Sequence, residues 1–208
     1  MKKMINIWYY ISVYLAGIVA LAAIFLPVTE VQKCLLASII ILLIHFFEEF
    51  GYPGGFPLLG MKVMMNSDEL DHTKWNCNNL NCLFGNWGFL FLIYIIPLVL
   101  PNIKVFTLSA MLFLFAEVLM HLVIFPIRLK AFYNAGMITG ALLGVIGLYY
   151  FGFVFDVTMY VWHDYVLAVL WFIIVFAFSF RSPLYWNLGK KPGYPLTDIT
   201  AYGANFKK

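Results

Sequence analysis

A histidine and two glutamates close an otherwise apolar run at Ile44-His45-Phe46-Phe47-Glu48-Glu49-Phe50. On a helix, Glu48 lies about 60° to one side of His45 and Glu49 about 40° to the other, so all three share one face. A second set stands in Ala116-Glu117-Val118-Leu119-Met120-His121. Its glutamate and histidine are four residues apart, about 40° around a helix. Two imidazoles with two or three carboxylates form a donor set suited to Zn, Fe or Mn. For a mononuclear centre, His45, His121 and one or both of Glu49 and Glu117 bind a divalent metal, with zinc the first choice. Glu48 or Glu49 is then left as the general base acting on metal-bound water. A di-iron bundle site normally carries four carboxylates in Glu-x-x-His pairs, so a dinuclear centre is under-supplied here. The alternatives without metal are ion pairs to Arg128 or Lys130, or protonated carboxylates bonded to neutral histidines.

The elements that position these groups read as membrane helices. The 208 residues are 63% hydrophobic and 11% charged, with a mean hydropathy of +0.89, whereas about a quarter of the residues of a soluble domain are charged. We expect an all-α polytopic membrane bundle of about six spans in residues 1–182: about 7–25, 32–50, 83–100, 105–125, 136–153 and 160–180. Residues 51–86 form a long loop with a possible lid or substrate-contact role, and 183–208 a polar tail. The first span reads as an uncleaved anchor, with a signal peptide as the alternative. Alternation of the spans puts eleven of the thirteen basic residues, Lys207 and Lys208 among them, on one side, and only Lys33 and Lys104 on the other. This bias places both termini in the cytoplasm. The partner is the lipid bilayer, and a net charge of +3 gives no reason to invoke nucleic acid. Cys34, Cys77 and Cys82 do not suggest a disulfide framework, and Asp71-His72 has no zinc-site spacing to them.

Depth links the two sets. His45 precedes the end of its span by five residues and His121 precedes Pro126 by five. Both are therefore about 7 Å from the same membrane face, with Glu117 about 6 Å deeper. A charge at mid-bilayer costs about 2.5–3.5 kcal/mol. A structural zinc site returns about 10–16 kcal/mol, enough to offset several such burials. Tyr133-Asn134-Ala135-Gly136 opens the fifth span on this face, and Asn134 is either a helix cap or a side chain aimed into the site as a substrate contact.

His45-Phe46-Phe47-Glu48-Glu49, with the Tyr52-Pro53-Gly54-Gly55-Phe56-Pro57 that follows, resembles the HXXEE-motif family of bacterial polytopic membrane proteins. The resemblance takes in Glu117, His121 and the Tyr133 to Gly136 stretch, where Ala135 stands in place of an expected proline. It implies an inner-membrane protein with a site at these residues and supplies no reaction. From the donor set, the first expectation is a membrane metalloenzyme hydrolysing, or acting by related chemistry on, a lipid or amphiphile. A proton- or cation-coupled transporter and a non-catalytic protein with a structural metal site are the alternatives.

Overall fold

The computed structural model describes residues 1–204; the distal end of the expected tail, with Lys207 and Lys208, lies outside the described residues. All regular structure in the described residues is helical, and six helices are long and apolar enough to cross a membrane. These are α1 (Trp8–Phe25), α2 (Glu30–Phe50), α3 (Asn79–Val99), α4 (Lys104–Leu129), α5 (Met137–Val154) and α6 (Trp162–Arg181). They pack with α1 on α2, α2 on α5, α5 on α4 and α4 on α6. Large apolar side chains such as Ile18, Phe91, Leu148, Phe153 and Ile174 point outward, as lipid-facing residues do.

Local chemistry sets the helix ends. Thr29 caps α2, and Gln32 reaches back to the Thr29 amide at 3.1 Å, a reciprocal capping box. The same device starts α3 earlier than the expected residue 83. Asn78 accepts the amides of Leu80 and Asn81 at 2.9 and 3.1 Å, and Asn81 accepts the Asn78 amide at 2.8 Å. The asparagines that made this stretch look like loop are the helix start. Cys77 and Cys82, either side of this cap, bring their sulfurs to 3.5 Å.

Residues 183–204 of the segment expected as a polar tail pack on the bundle. Ser182 caps α7 (Pro183–Gly189), which packs on α3. Further on, α8 (Asp198–Tyr202) packs against the short helix Phe56–Leu59. Gly55 donates its amide to the Thr200 carbonyl at 3.1 Å, Ala204 donates to Pro53 at 2.8 Å, and the Tyr9 and Thr200 hydroxyls meet at 3.2 Å. Leu196, Ala201 and Tyr202 are buried in this small cluster with Leu58 and Trp75. Both ends of the described chain therefore lie on one face of the bundle, the face at which α2 and α4 end.

Candidate metal centre

Two of the expected helices do bring their titratable groups together. His45 of α2 and His121 of α4 are 2% and 1% exposed, and Glu49 is 3% exposed. From His45 Nε2 to Glu49 Oε1 is 3.3 Å and to Glu117 Oε2 3.4 Å. From His121 Nε2 the same two oxygens lie at 3.4 and 3.2 Å. Ligand atoms of His45, Glu117 and His121 all fall within 4.8 Å of one another, and Glu49 joins that triad through the two imidazoles. The helix of α4 widens to π geometry over Leu119–Ile124, which includes His121; such bulges recur at functional sites.

The four contacts are longer than hydrogen bonds between charged groups. Charge-assisted N–H···O bonds run about 2.7–2.9 Å. Around an ion with bonds of about 2.0–2.1 Å, tetrahedral ligand atoms stand about 3.3–3.4 Å apart. The four contacts match the second value.

Outer partners fix the tautomers. Asn134 Nδ2 donates to the His121 backbone carbonyl at 2.7 Å, so its Oδ1, 2.8 Å from His121 Nδ1, must accept. His121 thus carries its proton on Nδ1 and, when neutral, aims an Nε2 lone pair at the cluster. Thr139 does the same for His45. Its hydroxyl donates to Glu48 Oε2 at 2.5 Å, which leaves the oxygen to accept from His45 Nδ1 at 2.7 Å. With both rings neutral, two imidazole lone pairs and two carboxylates converge, a set able to hold a cation.

Glu48 points away from this group. Its Oε1 accepts from the Tyr133 hydroxyl at 2.9 Å and the Ile138 amide at 3.1 Å; its Oε2 also accepts the Thr139 amide at 2.9 Å. Those amides belong to the first turn of α5, where a carboxylate is favoured by the helix dipole. The Tyr133 hydroxyl is pushed above its usual range by burial and by the Glu48 carboxylate, so it stays a donor. A carboxylate holding four donors has no lone pair left for a general base. Nor is Asn134 the helix cap: Gly136 holds that position, and both ends of the Asn134 amide are committed to His121.

The residue missed in the sequence is Thr139, and Gly136, part of the noted Tyr133 to Gly136 stretch, has a role that the sequence did not show. A Cβ on Gly136 would collide with Cε1 of His121 and of His45, so the glycine is where α5 comes close enough for its Thr139 to reach a ring. A threonine on an apolar helix gives no such signal. Thr139→Val should lower metal affinity about 10–100-fold, the usual cost of removing a ligand's outer partner. Thr139→Ser should keep most of it, as read by competition with a chromophoric chelator.

A cavity of about 380 Å³ opens onto the His/Glu group, walled mostly by apolar side chains such as Phe113, Phe176 and Met120. The ring of Phe56 stacks on His121 with centroids 6.0 Å apart. The loop after α2 delivers it there, turning through Gly54 and Gly55 at φ +74° and +97°.

A family model for proteins of unknown function with an HXXEE motif matches residues 36–151, which is more than half of the chain. The protein belongs to the HXXEE family. No curated protein and no solved structure matches it. The matched residues carry all four cluster side chains together with Glu48, Asn134 and Thr139. As an HXXEE member it is a membrane protein with a buried His/Glu group able to hold a metal. In this chain the His and the second Glu of the motif face the cluster, while the first Glu faces α5.

Proposed function

We propose that this protein is an intramembrane metalloenzyme, a hydrolase or an enzyme of related chemistry, acting on an amphiphile that reaches the His/Glu group through the apolar cavity. What supports this most is the set of four N···O contacts of 3.2–3.4 Å between the two imidazole Nε2 atoms and two carboxylates. His45, His121 and Glu117 would hold a divalent ion, zinc by preference for a two-His, one-carboxylate set, with Fe or Mn as the other candidates. Such an ion, when bound, polarises a carbonyl or phosphoryl oxygen and acidifies water.

The protein's own groups divide the remaining work. Glu49 is the general base: it borders the triad, and its carboxylate can take a proton from water. Asn134 and the Glu48–Thr139 pair orient the two imidazoles and are positioning residues. Phe56, Phe113 and Phe176 exclude bulk water and seat an alkyl chain. The basic-residue bias puts this face, and both termini, in the cytoplasm.

Metal analysis of purified protein tests the reading directly. Stoichiometric Zn, Fe or Mn is expected, and its absence after incubation with each ion would sink the proposal. Two further variants separate a base from a ligand. Glu49→Gln should retain the metal, whereas Glu117→Gln should lose it; metal loss in both would make Glu49 a fourth ligand and the centre a closed, structural one.

A further inference from the structure

The charged side chains of the cavity do not cancel. Taking the metal reading above as given, Glu49 and Glu117 are balanced by a divalent ion. Glu69 and Lys74, also in the wall, pair at 3.6 Å. Arg181 is left over. It closes α6 on the face where the cavity opens, and among the described residues it makes no ion pair. Its one hydrogen bond is from Nη1 to the thioether of Met65 at 3.1 Å. Sulfur of this kind is a weak acceptor, and a guanidinium carries five donors in a planar fork shaped for carboxylate or phosphate. Much of the remaining wall is apolar: Phe180, next to Arg181, and Phe176, one turn earlier on α6, line the cavity together with Met61 and Met120.

We propose that Arg181 is the anchor for an oxyanion at one end of the substrate, so that the substrate class is an anionic amphiphile held by its head at the cavity mouth. Its apolar body lies along the Phe and Met wall. The oxyanion is then a handle and not the reacting group, because the His/Glu group is at the other end. A phosphate or a carboxylate fits the fork equally, whether borne by a lipid or free in solution, and the sources differ in what else they bury.

Trp75 and Trp186 line the cavity, so tryptophan fluorescence of the metal-loaded protein in neutral detergent reports binding. The probes are dodecyl phosphate, dodecanol and inorganic phosphate. Dodecyl phosphate should bind about tenfold or more tighter than dodecanol, the scale expected for hydrogen bonds to a charged group. Arg181→Gln should bring the two within about threefold, and Arg181→Lys should restore part of the gap because a point charge lacks the fork. Equal binding of both amphiphiles, or a preference that survives Arg181→Gln, overturns the anchor. Inorganic phosphate binding as tightly as dodecyl phosphate overturns the amphiphile. Metal content measured on the same samples keeps the two readings apart. Metal-replete protein with no preference rejects the anchor alone; metal-free protein with the preference keeps the anchor and rejects the metal.

Discussion

His121→Ala protein will fold as a membrane bundle but release its metal. The side chain sits in α4, whose packing on α5 and α6 does not depend on the imidazole, so the variant should remain monodisperse in detergent. What it loses is one protein donor of three. If a complete site is worth about 10–16 kcal/mol, one ligand's share is about 3–5 kcal/mol, or roughly 10²- to 10⁴-fold in affinity. Elemental analysis after dialysis against a weak chelator would show this as loss of the ion. His45→Ala should behave alike, since both rings meet the same two carboxylate oxygens at 3.2–3.4 Å. Retention of stoichiometric metal by both variants would mean that the ion sits elsewhere.

Gly136→Ala is expected to do similar damage with a single methyl group. Two penalties combine. The residue has φ +94°, a region that costs an L-residue about 1–2 kcal/mol. The added Cβ would also overlap Cε1 of both imidazoles, and neither ring can retreat while Asn134 and Thr139 hold it. Metal affinity should fall roughly 10²-fold, comparable with removal of a ligand. Gly193→Ala separates the penalties. It has nearly the same φ, +93°, but its new Cβ would meet only the flexible end of Lys2 at 3.1 Å. That variant should lose some thermal stability and keep its metal. Equal metal loss in the two alanine variants would trace the effect to backbone strain and not to the ring clash.

The cluster was legible in the sequence because helical spacing and depth are additive. His45 and Glu49 are one turn apart, Glu117 and His121 likewise, and equal distances from the helix ends set their level. Helical angle alone could not say which of two adjacent glutamates faces the partner helix. Glu48 and Glu49 differ by about 100°, and the choice depends on α5 lying beside α2, a tertiary fact. Glu48 is drawn to the amides of Ile138 and Thr139, and nothing within the motif reports that. Thr139, and the role of Gly136, were invisible for the same reason: their work is done toward rings far away in sequence. At the other end of the scale, Asn78 and Asn81 carried a capping signal that polarity disguised as loop. Residues 183–202 looked like a tail because short helices that pack on a loop leave no long apolar run.

The docking of α8 also sets an order of assembly. Every donor atom of the metal group is in place once α5 has been made, yet the loop carrying Gly54, Gly55 and Phe56 completes its seat later, against Ile199 to Gly203. During synthesis the centre therefore exists for some fifty residues of chain growth without its rim. A nascent chain can take up its ion through a wide mouth and narrow that mouth afterwards. By the same geometry, a bulky fusion joined just beyond Ala204 presses on the loop that bears Phe56, and a purification handle there is best set off by a flexible spacer.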